Sequence, residues 1–493
     1  MKRILLYITL FATLSLASCN DWLDVKPETQ TDEKDMFKSV SGFKNALTAC
    51  YIKLNSKNLY GLSLTITDIE FMAQHWSYQE SNYRGAEDLK AFKYENDYPK
   101  TLISAIYGEM YNTIAQANII LQNMPEHKEV ITNEDMRAIV EAEALTIRAF
   151  CHMEILRLFG QMPQNSDKQV SLAYAKTVST VMIPHYSYND FTNLILADLD
   201  AAEALFKDHD PLFSYSFQEL DNFFDTKNYN VELADEFMGF RRFRFNYYAV
   251  KAIRARLYMY MGKKTEAYTA AKEIIDAVDK NGKKVLELAG AGDINSSNFA
   301  LPSECILALS NYEIEDNIRD LFKSDNTSTK IYLTEKQFNN DLFAGQSTAV
   351  NNRVQVWDRT PDNQGNVKPL LKKYNQPSST TNMDMEVLAT QKQVIPLIRL
   401  SEMYLMIMEK APLTEANEVY KEFCTARGIE YVPLTETDRQ ERVCKEWIRE
   451  LIGEGQNFFT YKRLNVRNMI FGISECSEEQ YILPIPEKEY LGE

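Results

Sequence analysis

Helical periodicity constrains this chain more than any other feature, and it is clearest over residues 245–278. Ala255, Tyr258, Gly262 and Ala267 stand there at the spacing of the tetratricopeptide repeat. In such a hairpin a small residue lets two helices approach, and an aromatic fills the groove. A glycine then makes the turn, and an alanine packs the second helix. One hairpin cannot bury its apolar face alone, so the spacing predicts neighbours. Residues 398–408 and 414–424, with Pro412 in the turn, read as a second hairpin, and 142–160 as a helix of a third. Apolar residues recurring at three and four predict further amphipathic helices over 37–54, 102–124, 134–159 and 191–206. Pro125 ends the second of these; Asn133 caps the start of the third, and Gly160 stops it. The expected fold class is all-α, a scaffold of tetratricopeptide-like hairpins.

Residues 280–394 break the pattern. Gly290-Ala291-Gly292, Asn295-Ser296-Ser297, Pro361-Asp362-Asn363-Gln364-Gly365 and Pro377-Ser378-Ser379 are turn signals. Short β-prone runs lie among them at 306–309 and 353–357. This reads as a loop-rich insertion with short strands, carried by the helical scaffold. Long loops on a rigid scaffold are where binding surfaces sit.

The N-terminus specifies an address. Lys2 and Arg3 precede an apolar run over 4–16, and Ala17 and Ser18 precede Cys19. This is a secretory signal in three parts, with a cysteine placed to become a lipidated mature N-terminus. The run is too short to span a bilayer, which takes about 20 residues. The expected division is a signal peptide over 1–18, a lipidated tether over 19–36 and one domain over 37–493. Stable anchoring takes about two acyl chains, which a bacterial lipoprotein cysteine supplies. The net charge of −16 argues against nucleic acid or anionic lipid as partners, because both need clustered Lys and Arg. Membrane contact is therefore expected through the lipid alone. The other cysteines, Cys50, Cys151, Cys305, Cys424, Cys444 and Cys476, form no CxxC pair, so no zinc site is expected. The last three leave room for a disulfide.

Catalytic spacings are missing: there is no GxSxG, HExxH or P-loop motif. The five histidines are scattered, and His152 lies in an apolar helical pattern that reads as core. No enzyme activity, metal or cofactor is expected. A carboxylate pair of the glycosidase type stays open among 70 acidic residues, although most acidic pairs are solvated surface. Aromatic usage stands out, with 28 Tyr, 25 Phe and 4 Trp. Most must fill helix interfaces. Two clusters fall in irregular stretches: Trp76, Tyr78, Tyr83 and Arg84, then Tyr312, Trp357, Arg359 and Tyr374. Flat aromatic faces beside hydrogen-bonding groups suit a sugar, and they also suit peptide or protein contacts. The same residues could instead anchor loops to the scaffold.

Several segments resemble, in order, the SusD/RagB-type outer-membrane lipoproteins of the Bacteroidetes. The start Cys19-Asn20-Asp21-Trp22-Leu23-Asp24-Val25-Lys26-Pro27 is similar to the family's opening. Glu143-Ala144-Leu145-Thr146-Ile147-Arg148-Ala149, continued by Arg157-Leu158-Phe159-Gly160-Gln161-Met162-Pro163, resembles its long helix. Ile398-Arg399-Leu400-Ser401-Glu402 resembles its "IRxAE", and Glu454-Gly455-Gln456-Asn457-Phe458-Phe459-Thr460-Tyr461-Lys462-Arg463 its "EGxRWFDLKR". Leu483-Pro484-Ile485-Pro486 matches its close. Asn457, Phe458 and Thr460 depart from the usual Arg, Trp and Asp.

The resemblance implies a surface lipoprotein that caps a SusC-like TonB-dependent transporter and captures nutrients, often glycans, without catalysis. By matching position it implies Trp76, Trp357 and Tyr312 at the ligand. It places the protein at the outer membrane, facing outward. A peptide- or protein-binding lipoprotein on the same fold is the competing reading.

Overall fold

A computed structural model describes residues 33–79, 83, 85–165, 172–178, 182–322, 331–347, 349–362, 364–375, 383–472 and 475–487. Residues 1–18, read as a signal peptide, and Cys19 lie outside the described residues, and the segment read as a tether enters only at Glu33–Met36.

Ten helices carry the scaffold: α1 Val40–Leu54, α2 Asp97–Asn123, α3 Glu134–Phe159, α4 Tyr188–His209, α5 Tyr247–Tyr260, α6 Lys264–Ile275, α7 Leu400–Lys410, α8 Leu413–Arg427, α9 Arg439–Leu451 and α10 Asn457–Leu464. From α1 to α8 each helix packs on the next, so the hairpins form one continuous stack. The repeat spacing is explained at α5 and α6. Ala255 and Ala267 are fully buried between the helices. Gly262 sits in the turn at φ +71°, a conformation that glycine adopts without strain. At α3, the Asn133 side chain accepts the Met136 N–H, as the cap requires. Gly160 ends this helix in extended conformation, and a Cβ there would press on the Leu156 carbonyl oxygen.

Among the described residues eight short strands lie outside the stack: β1 Ser77–Tyr78, β2 Leu172–Ala173, β3 His185–Tyr186, β4 Cys305–Ser310, β5 Ile331–Tyr332, β6 Trp357–Asp358, β7 Leu370–Leu371 and β8 Val394–Arg399. They pair antiparallel as β1–β5, β2–β3, β4–β8 and β6–β7. Two local expectations change. Residues 398 and 399, read as the start of a helix, end the strand Val394–Arg399 against β4, and the helix begins at Leu400. A continuous apolar run does not distinguish the two by period; pairing decides. The 353–357 run is a helical turn, Asn352–Gln355, followed by β6, because the Asn351 side chain accepts the Arg353 N–H and starts a turn. All six described cysteines are free thiols, so no disulfide forms among Cys424, Cys444 and Cys476.

The sequence motifs place charges in the core and pair them there. Glu143 accepts from Tyr51 at 2.5 Å and from Arg241 at 2.6 Å. Arg148 grips both oxygens of Asp198 at 2.6 and 2.7 Å, joining α3 to α4. Arg256 does the same to Glu402 at 2.8 and 2.6 Å, joining α5 to α7. Arg399 holds Glu304, Glu450 and Glu454 together. Lys462 caps the end of α3, donating to the carbonyls of Arg157 and Gly160 at 2.8 Å each. Broken individually, such pairs are costly, because one buried charge is left alone. Their geometry fixes which hairpin meets which.

Candidate functional site

The two aromatic stretches converge although about 280 residues separate them. Trp76 and Trp357 meet edge to face at 6.1 Å, with Phe322 5.6 Å from Trp76 and Phe338 5.6 Å from Trp357. β1 brings the first stretch to β5, β6 and β7 bring the second, and the Leu333 N–H donates to the Pro369 carbonyl between them. The convergence makes a floor. Trp76 is 0% exposed, and its indole N–H is spent on the Ile66 carbonyl at 2.7 Å. Trp357 is 4% exposed. Tyr374 is 2% exposed, with its hydroxyl on the Gly453 carbonyl at 2.7 Å. These three rings have no free face for a ligand, which corrects their reading as stacking platforms. They anchor the loops.

The other candidates lie nearer the solvent. Tyr78 and Tyr83 are half-buried and both pack on Phe71. The Tyr83 hydroxyl donates to Asp68 at 3.2 Å, and Tyr98 donates to the same oxygen at 2.8 Å. Burial pushes the Asp68 carboxyl up. Arg359 is half-buried and lies over Phe338, 4.8 Å from its centroid, with no partner for its Nε–H among the described residues. Arg84 lies outside the described residues. Tyr312 is 78% exposed at the end of β4, its hydroxyl on neighbouring Glu313. Among the described residues no ring of the converged cluster packs on it.

Composition gave no hint of three further residues at this surface. Tyr332, opposite Ser77 across the β1–β5 pair, is half-buried under the Lys368 ammonium, 5.0 Å from its ring centroid. Gln337 accepts from Ser77 at 2.8 Å beside it. Their signal in the sequence was only a tyrosine, a lysine and a glutamine scattered through loops.

A second concavity was also missed. A cleft of about 530 Å³ opens between residues 212–222, 279–303 and 390–391, within the size range of small-molecule sites. Tyr215, Gln218, Asn222, Asn298 and Gln391 line it. At its wall Arg242 lies over Phe217 at 4.8 Å and donates to Asp221 Oδ2 at 2.7 Å. The other Asp221 oxygen has no partner among the described residues, and burial pushes this carboxyl up. Amides, a carboxylate and an aromatic at one cleft can hydrogen-bond and stack. Among the described residues no group of three or more His, Cys, Asp or Glu could hold a metal. No helix among them is long and apolar enough to cross a membrane.

Comparison with known proteins agrees with this architecture. Residues 21–218 match the model of a family described as starch-binding and associating with the outer membrane. Residues 255–490 match the SusD family model. SusD-like protein P38 of Formosa agariphila is 23% identical over 274 residues, which cover 55% of this chain and 44% of that protein. P25 of the same organism is 25% identical over 167 residues, covering 33% of this chain and 31% of that protein. The chain thus spans less than half the length of the relatives it matches. Among solved structures, a SusD superfamily protein of Bacteroides vulgatus aligns with TM-score 0.69 at 19% identity, covering 92% of this chain and 97% of that one. A laminarin-binding SusD-like protein aligns with TM-score 0.64 at 17% identity, covering 92% and 98%.

Proposed function

From a chain that belongs to the SusD/RagB family, we propose a nutrient-binding lipoprotein of the outer membrane that takes glycans and passes them to a SusC-like TonB-dependent transporter. Cys19 would carry the lipid, and the body would face outward on the tether. The observation that carries the reading is the convergence of the two irregular stretches. A rigid aromatic floor supports a surface with Tyr78, Tyr83, Tyr332, Arg359 and Lys368 at its edge. Tyrosines offer an amphipathic face at low entropic cost, and Arg359 and Lys368 offer donors to hydroxyls. The surface binds without catalysis.

One relative of the same fold is named as laminarin-binding, and one family model as starch-binding; both names support a glycan over a peptide. Contact with the transporter would bury about 1,200–2,000 Å² or more, so part of the acidic surface belongs to that partner.

The test is a glycan array followed by calorimetry on the best glycan. Tyr332→Ala and Arg359→Ala should each weaken binding by about tenfold, which is 1.4 kcal/mol. Unchanged affinity in both, with loss in Gln218→Ala or Asn222→Ala, moves the seat to the 530 Å³ cleft. A blank array, with peptides co-purifying, replaces the glycan reading by the peptide one.

A further inference from the structure

The turn-rich loop over residues 289–303 takes no part in the aromatic surface, yet buried charged side chains fasten it along its length. Arg427 donates to the Ala289 carbonyl at 2.7 Å, and Glu304 accepts the Ala289 N–H at 2.8 Å. Lys392 donates to the Ser296 carbonyl at 2.7 Å and to the Asn298 side chain at 2.6 Å. Arg242 holds Asp221 at 2.7 Å and the Ser303 carbonyl at 3.0 Å, which ties together the two walls of the 530 Å³ cleft. All four side chains are buried, so this wall of the cleft is fixed before any ligand arrives.

Gly290 and Gly292 leave part of that wall bare, and both line the cleft. Neither has a positive φ, and a Cβ at either would meet no atom within 4 Å. Among the described glycines only Gly108 shares both properties. Backbone conformation and packing therefore do not call for glycine at 290 and 292, where its freedom costs entropy on folding. What glycine supplies at a cleft is close approach of a ligand to the main chain. The other lining residues set the chemistry of that ligand. Three cations and four carboxylates line the cleft, with Arg242 spent on Asp221 and Lys284 on Asp276 and the Ile275 carbonyl. Mixed charge of this kind favours neither an anion nor a cation. Gln218, Asn222, Asn298 and Gln391 offer amides that donate and accept, as a hydroxyl does, and half-buried Tyr215 adds a ring.

We propose that the cleft is a second glycan site, which takes a short neutral oligosaccharide against the bare main chain of residues 290–292. None of Tyr78, Tyr83, Tyr332, Arg359 and Lys368 lines it, so it binds independently of the aromatic surface. The proposal rests on the reading above for the class of nutrient, and it adds a separate place to hold it.

Crystals of the native protein soaked in a mixture of malto-, laminari-, cello-, manno- and xylotetraose test this directly. Sugar density in the cleft, in contact with the 290–292 main chain, is expected. A cleft without sugar overturns the proposal; sugar on the Tyr332 surface of the same crystal would then show that the glycan reading survives it. Trialanine found in a cleft that the sugars leave empty overturns the ligand class. In solution, calorimetry with the tetrasaccharide seen in the cleft should still detect binding by Tyr332→Ala. Adding Gly292→Leu to that chain places a side chain in the open space and should weaken the remaining binding by about tenfold or more, with the melting temperature of the protein kept. No binding by Tyr332→Ala, or equal binding with and without Gly292→Leu, overturns the second site. If the double variant does not fold, the crystal decides.

Discussion

His152 should make the stability of this protein depend on pH well above the range where carboxylates titrate. Its ring is fully buried and stacks on Tyr174 at 3.8 Å. The Ala175 N–H donates to Nε2 at 3.0 Å, so Nδ1 carries the proton and donates to the Arg148 carbonyl at 2.8 Å. Both bonds serve the neutral ring, and adding a proton at Nε2 would destroy one of them. Burial pushes the folded-state pKa down to about 3, against about 6.5 for an unfolded histidine. Above pH 6.5 both states are neutral and His152 contributes nothing. Below it the unfolded chain binds a proton that the folded one refuses, so stability is lost as the pH falls from 6.5 toward 3. At 1.36 kcal/mol per pH unit, two units between pH 6.5 and 4.5 remove about 2.7 kcal/mol, a large share of the 5–15 kcal/mol typical of folded proteins (~10 in the middle of that range). Urea denaturation of the native protein and His152→Gln across that window measures it. Gln does not titrate, and the other histidines contribute equally to both proteins. The native curve should fall by about 2.7 kcal/mol more than that of the variant. Parallel curves would refute the reasoning.

Other perturbations follow from the same contacts. Glu454→Gln leaves Arg399 and Lys373 short of a counter-charge and should cost about 3–5 kcal/mol in urea denaturation, with Lys373→Met in the same chain recovering part of the loss. Trp76→Ala opens a hole under Trp357 and Phe322 and should cost about 3–5 kcal/mol; native stability in that variant would place the ring outside the core. Burial raises the Glu409 carboxyl, but Arg463 and Lys410 outweigh it and hold it at about 2. Its contribution is therefore complete above about pH 4.3 and lost as the pH falls toward 2, and Glu409→Gln should flatten that limb of the acid titration. Cys19→Ala should leave glycan affinity in solution unchanged and abolish uptake in cells; growth on the glycan with the variant at the surface would remove the tether from the mechanism.

How much of this was legible depended on distance along the chain. Asn133, Gly160, Gly262 and Pro412 act on the residues beside them, so helix ends could be read directly. The fate of Trp76 could not. An isolated tryptophan in a polar loop suits a sugar platform or a core anchor equally well, and Trp357, 281 positions away, decides between them. The same holds for the 394–399 run, whose strand exists only against β4.

The sequence by itself determined the all-α scaffold and its family, because period, caps and short motifs are local properties of the chain. Only the tertiary structure decided which aromatics are floor and which are edge, where Tyr332 and Lys368 meet, and which buried carboxylates share Arg399. Burial and charge balance are sums over partners brought from far apart in the chain, and no local pattern carries such a sum.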